Sequence, residues 1–452
     1  MPESPVPYPE DDVIFEPLHF RNLSLKNRIL RSNISGRFDN YDGSGNPMRV
    51  NWELKFARGG VGAIVSSFVP VTMQGRIVPN FATIDRDERI PFWREIGRRV
   101  HQYDCRYIMQ LSHGGRQRDI LSFDQPSSIS STDEMESVHG LGARRMTVGE
   151  IQKVVKAFGE GARRAREAGL DGVELHSANG YLFTQFLSSA INDRDDEYGG
   201  PLENRARFIL EVVRAIRAEV GDDFHLQAKL SATEFNNAFF PWEAKGNSVG
   251  DTIRVCKWLE EAGVDAIHVS SGSMFPHPRN PAGDFPTEVA ASVYGVMFAS
   301  GKHTLRNYLI FRSKILGALW RWWWVRARGE KIEGISLDDS RLIKQAVNIP
   351  VICTGGFQTA SVIRAAINRG DCDAVSIARP LIANNDLVHM FAKGLDKAPR
   401  PCTYCNKCLL NVLVHPLGCY EEQRYDSKDE MIAQILSVFE SPPEEDTAPV
   451  TN

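Results

Sequence analysis

The chain is 452 residues long, with 53 Lys and Arg against 57 Asp and Glu, a formal charge of −4 and 42% hydrophobic residues. That balance is ordinary for a globular protein and excludes the broad cationic excess that sequence-independent binding to nucleic acid requires. The Cys count of eight is too low for a disulfide scaffold at this length, so reduced thiols are expected.

Residues 1–15, MPESPVPYPEDDVIF, hold neither a basic n-region nor an apolar h-region, and the expectation is no secretory leader and a cytoplasmic location. Short apolar, β-branched runs then recur: ILRSN (29–33), GAIVSS (62–67), YIMQLS (107–112), GVELHS (172–177), HLQAKLS (225–231), AIHVSS (266–271), PVICTGG (350–356) and AVSIARP (374–380). Continuous runs of this length suit parallel strands covered on both faces. Amphipathic stretches separate most of them, including 147–168, where Thr147 and Glu150 have capping-box spacing, 202–220 and 359–369. Eight β/α units predict an α/β fold, the (β/α)8 TIM barrel, over 13–395.

Three segments lie outside the repeat. A long insertion, 272–334, separates strand six from helix six, and within it 305–329 carries six basic residues and no acidic one. It reads either as a helix on a membrane surface or partner, or as an excursion that packs Trp and Leu on the barrel and snorkels its Arg. The second is the expectation, because charges interrupt the apolar run before the ~20 residues of a spanning helix. Residues 396–420 form a Cys-containing extension, and the acidic tail 421–452 is expected to be largely disordered.

Barrel chemistry belongs at the C-terminal ends of the strands. In chain order these ends supply Ser32, Asn33, Ile34 and Ser35; Ser67 and Phe68; Gln110 and His113; His176, Asn179 and Tyr181; Lys229; Ser270; Gly355 and Gly356; and Ala378 and Arg379. Polar and cationic groups therefore share one rim. Strands seven and eight make the usual phosphate corner of this fold, where Gly355 and Gly356 offer backbone N–H groups and Arg379 adds charge. The plainer alternative is that both glycines only turn the chain.

The run His176-Ser177-Ala178-Asn179-Gly180-Tyr181-Leu182, with Gln185-Phe186-Leu187-Ser188 and the stretch from Asn192 to Arg205 that follow, closely resembles the Old Yellow Enzyme family of FMN-dependent ene reductases, related to the barrel domain of 2,4-dienoyl-CoA reductase. PLHFRNLSLKNRIL (17–30) and Gln110-Leu111-Ser112-His113-Gly114-Gly115-Arg116 are similar to the same family. The resemblance implies an FMN lined by Ser32, Asn33, Ile34, Ser35 and Phe68, with Gln110 at its pyrimidine edge and Lys229 at N1. It also implies that Gly355, Gly356, Ala378 and Arg379 hold the phosphate. NADH or NADPH would reduce the flavin. An electrophilic alkene, such as an α,β-unsaturated carbonyl, would then take a hydride while His176 and Asn179 bind its oxygen and Tyr181 protonates its α-carbon.

Several positions depart from the family pattern. Lys229 stands where many members have Arg, which keeps the charge and loses the bidentate fork. Ser35 replaces a Thr or Cys, Asn33 and Ile34 replace a frequent Pro-Met, and Ala378 replaces a Gly. Relatives resembling 2,4-dienoyl-CoA reductase also carry four Cys after the barrel that bind a 4Fe-4S cluster. Cys402, Cys405, Cys408 and Cys419 are candidates for such a cluster or for zinc. The last two gaps are each one residue shorter than in those relatives, so free thiols are the alternative. Rival functions are a flavin-free lyase or isomerase whose substrate fills the phosphate corner, and a non-catalytic flavoprotein docked through 305–329.

Overall fold

A computed structural model describes residues 8, 9, 11–118, 128–236, 244–274, 276–297 and 301–440. Eight parallel strands close a barrel: β1 (Ile29–Arg31), β2 (Ala63–Val65), β3 (Arg106–Ser112), β4 (Gly172–Ser177), β5 (His225–Ser231), β6 (Ala266–Ser270), β7 (Val351–Thr354) and β8 (Ala374–Ile377). Each pairs with its sequence neighbour, and Val375 against Ile29 closes the ring. Several predicted strands end one to three residues early, and Ser32, Asn33, Ala378 and Arg379, just past the ends of β1 and β8, line the mouth.

Alternation of side chains builds the interior in layers. Leu30, Ala63, Val65, Ile108, Ala266, Ile352 and Ala374 form an apolar layer, covered at the N-terminal ends of the strands by Leu18, Phe20 and Leu25 of an N-terminal hairpin. The outer ring includes α1 (Pro47–Arg58), α2 (Val148–Glu167) and α3 (Leu202–Val220). In α2 the Thr147 and Glu150 capping box forms, and Ile151, Val154, Phe158, Ala162 and Ala165 make the buried stripe. On β1 the buried Arg31 points outward and pairs with Glu53 of α1. Glu53 also accepts from Arg49 Nε at 2.8 Å, and Arg49 reaches Asp39 at 3.1 Å. This buried ionic cluster brackets residues 32–35, which line the mouth.

The insertion contributes α4 (Thr287–Met297), α5 (Thr304–Arg312) and α6 (Lys314–Arg328) before α7 (Leu337–Lys344) resumes the barrel; α8 (Ala360–Asn368) follows β7. Phe285, Tyr294, Phe311 and Trp324 form its core. One expectation is corrected: residues 421–440 are folded, and only 441–452 of the acidic tail lie outside the described residues. Helix α9 (Lys428–Leu436) is capped by Ser427 and buries Met431 and Ile435. Asn51 of α1 donates to the carbonyls of Val438 and Glu440 at 2.9 Å. The acidic composition hid an apolar stripe with helical spacing.

Candidate active site

The mouth of the barrel opens into a cavity of about 310 Å³, within the roughly 300–1,000 Å³ of small-molecule sites. Ser32, Asn33, Ile34, Ser35, Phe68, His176, Asn179, Tyr181, Lys229, Ala378 and Arg379 all line it. Three of the residues expected to hold the cofactor do not. Gln110 is fully buried in the barrel interior. Gly355 and Gly356 lie behind the wall: the Gly355 carbonyl accepts from Gly334 N at 2.6 Å, and the Gly356 carbonyl accepts from Tyr404 Oη. The insertion and the Cys-containing extension fold over this corner, which their distance in sequence concealed.

Local backbone geometry sets the cluster after β4. Asn179 and Gly180 have φ of +62° and +82°, a left-handed turn that Asn tolerates and Gly favours. At Gly180 a Cβ would fall 2.2 Å from the Ser273 carbonyl, so the turn packs tightly against the chain after β6. Gln117 donates to the Asn179 carbonyl at 2.7 Å. The turn leads into a short helix, Leu182–Leu187, and places the Tyr181 ring 4.7 Å from His176 and 4.9 Å from Phe68, both edge-on. The Phe68 N–H donates to Ser35 Oγ at 3.0 Å, which joins the first two strand ends.

Burial governs the protonation states. It lowers His176 to about 3, with the Lys229 charge adding to the effect, so the imidazole is neutral and carries one N–H. Burial raises Tyr181 well above its ordinary value and keeps the phenol protonated. Lys229 is lowered to about 8 by burial, opposed by the negative charge of Glu174. Its ammonium donates to Ser32 Oγ at 3.0 Å and to Asn33 Oδ1. The cluster around His176 therefore offers two neutral donors, a protonated acid and the Lys229 ammonium facing a largely apolar space.

Beneath the rim lies a polar layer that the sequence reading did not single out. The Glu174 carboxylate accepts from Gln110 Nε2 at 2.7 Å, from Gln227 Nε2, and from His268 Nδ1 at 2.6 Å. Burial would raise Glu174, but His268 and Lys229 facing it hold it at about 2. His268 is itself lowered by burial, and Lys229 is the balancing cation. With Nδ1–H committed to Glu174, His268 Nε2 accepts from the Thr354 or Ser376 hydroxyl, each at 2.6 Å. The signal was period two: Glu174 precedes His176 by two residues, and Gln227 precedes Lys229 by two.

Two appendages complete the walls. Phe285, Tyr294, Met297 and Trp324 come from the insertion, and Leu409, Leu410 and Leu413 from the extension. Arg379 ties both to the barrel: Nη2 donates to the Ala282 carbonyl at 2.7 Å, Nη1 donates to Asn406 Oδ1, and the guanidinium lies 5.3 Å from the Tyr404 ring centre. Burial raises the thiol of Cys402 to about 11 and raises those of Cys405 and Cys408, with neighbouring thiols adding to each. Cys419 Sγ accepts from Arg424 at 3.1 Å and Cys402 Sγ from Tyr404 N at 3.4 Å. Among the described residues no three His, Cys, Asp or Glu are arranged to hold a metal ion. This departs from the metal-ligand expectation, and the shortened gaps are its sequence counterpart.

Residues 13–297 match the model of the NADH:flavin oxidoreductase / NADH oxidase family. The chain is 30% identical to an NADH oxidase of Thermoanaerobacter brockii over 89% of its own length and 56% of that protein. It is 29% identical to a cinnamate reductase of Clostridium sporogenes over 94% of its length and 61% of that protein. The chain therefore spans little more than half the length of these relatives. In fold it is similar to a 2-naphthoyl-CoA reductase solved with 2-naphthoyl-CoA, with a TM-score of 0.73, 23% identity, and coverage of 90% of this chain and 56% of the other.

Proposed function

Because the chain belongs to the NADH:flavin oxidoreductase / NADH oxidase family, we propose that it binds FMN at the barrel mouth and uses NADH or NADPH to reduce an activated C=C bond. The convergence of His176, Asn179, Tyr181 and Lys229 on one apolar-walled cavity carries the reading. Buried atoms without a hydrogen-bond partner, Gln110 Oε1, His176 Nδ1 and Asn179 Oδ1, support the fit, since such groups are costly until a ligand pairs with them. Residues 32–35, Phe68, Gln110 and Lys229 would hold the isoalloxazine. Arg379 and Ala378, which line the cavity, would serve the phosphate.

When bound, FMN supplies the hydride that NADH or NADPH delivers to it. The chain does the rest. His176 and Asn179 bind the carbonyl oxygen of an α,β-unsaturated substrate and stabilise the enolate charge that develops there. The Tyr181 hydroxyl gives its proton to the α-carbon. Apolar walls from the insertion and the extension exclude water from the transfer. The thiols of the extension enter no step.

Heat denaturation of freshly purified protein, followed by fluorescence and mass analysis of the released chromophore, tests the cofactor. One equivalent of FMN is the expected result. Stopped-flow reduction with each nicotinamide, then reoxidation by enones, enals, nitroalkenes and enoyl thioesters, tests the reaction. Protein that contains no FMN and does not take it up on reconstitution would overturn the proposal.

A further inference from the structure

Helix α6 is apolar on two opposite sides. The inner side packs Trp320 against Phe311 at 5.5 Å and Trp324 against Phe285 at 4.8 Å between ring centres, and Trp324 continues to the cavity wall. At about 100° per residue, Ile315, Leu319 and Trp322 stand on the side opposite Trp324. They are 75%, 57% and 64% exposed. Leu316 and Val325 flank them, and Leu305 and Leu309, one turn apart on α5, extend the exposed apolar area. A surface helix normally turns its polar side outward. An apolar concentration of this kind on a monomer marks an interaction face.

The charged residues of α5 and α6 themselves are all basic. Lys314, Arg321 and Arg328 recur every seven residues and so line one edge of the apolar stripe, while Arg326 lies 5.8 Å from the Trp322 ring centre. Arg306 and Arg312 add to them from α5. Among the described residues, Arg321 with Asp284 is the one ion pair these cations make.

We infer that the outer side of α5 and α6 is a docking face for an anionic lipid bilayer. The cations would meet anionic headgroups while Ile315, Leu319 and Trp322 enter the interface, where Trp is favoured. A second copy related by a two-fold axis would instead bring the same cations against one another. No described helix is long and apolar enough to cross a membrane, so the contact is peripheral. The packed excursion helix expected from sequence is half of the picture: its inner side packs, and its outer side is left apolar.

Sedimentation of the purified full-length protein with vesicles of equal parts phosphatidylcholine and phosphatidylserine tests this. The protein should pellet with them, remain in solution with pure phosphatidylcholine, and be released at high salt, which screens the cations. Ile315→Ser with Leu319→Ser and Trp322→Ser should weaken binding by about tenfold or more while circular dichroism and flavin content stay unchanged. Lys314→Gln with Arg328→Gln should weaken it without touching the apolar stripe. Wild-type protein that ignores anionic vesicles, or that binds as well after the triple substitution, would overturn the inference. So would a wild-type dimer in analytical ultracentrifugation that the triple substitution dissolves.

Discussion

Gln110 Nε2 donates to Glu174 Oε1 at 2.7 Å, and this bond fixes the amide so that Gln110 Oε1 is the atom without a partner. Glu174 thereby decides that Gln110 presents an acceptor. It also holds the His268 tautomer and provides the countercharge to Lys229.

Glu174→Gln should release that constraint, because an amide at 174 can accept or donate and Gln110 is free to flip. FMN affinity should fall by about tenfold, the scale of one hydrogen bond to a charged group. Fluorescence titration of apoprotein with FMN measures it, and an unchanged dissociation constant would remove Glu174 from the cofactor site.

Tyr181→Phe should leave reduction by NADH or NADPH nearly intact and slow reoxidation by an enone by roughly 10²–10⁴-fold, the range of a positioned general acid. Stopped-flow traces separate the two halves. Equal damage to both would show that Tyr181 shapes the cavity and does not supply the proton.

The pH profile of reoxidation should show no His176 ionisation near neutrality, since burial lowers that imidazole to about 3 and it stays a neutral donor. An inflection at about 6.5, the ordinary value, that disappears in His176→Asn would contradict this.

Lys229 has a folded-state value lowered from 10.5 to about 8. Below that value the folded chain bears the full cost of burying an ammonium. Between it and 10.5 the unfolded chain binds more protons, so stability rises with pH. Lys229→Met removes that titration, so the rise of apoprotein melting temperature between about pH 8 and 10.5 should disappear in the variant. Calorimetry across that range reads it, and FMN affinity should fall in the same variant.

Asn406→Ala removes the side-chain acceptor of Arg379 Nη1. The guanidinium should lose its fixed position, and FMN affinity should drop about tenfold with the barrel intact by far-ultraviolet circular dichroism. Retained affinity would place Arg379 outside the phosphate site.

The barrel was legible because each strand is a continuous apolar run and each rim residue closes one. His176, Asn179, Tyr181 and Lys229 were legible for the same reason, helped by the resemblance of their run to a known family. Glu174, Gln227 and His268 could have been found by stepping back two residues from each rim position, but a polar side chain inside a predicted strand looks like an exception until the ring closes around it. Trp324, Leu413 and Asn406 gave no such cue. They reach the mouth through packing between segments far apart in the chain, which periodicity along one segment does not encode. The folded stretch 428–440 was concealed because net charge describes a whole tail, whereas Met431 and Ile435 act through spacing.

Arg379 fastens three segments of the chain to one another, since it belongs to the barrel and is gripped by Ala282 from one appendage and Asn406 from the other. A chain whose strands have all paired is then still unfinished. Retention of the prosthetic group during refolding should lag the recovery of secondary structure, and a shortened version ending before Asn406 should assemble its barrel yet leak its chromophore on dilution.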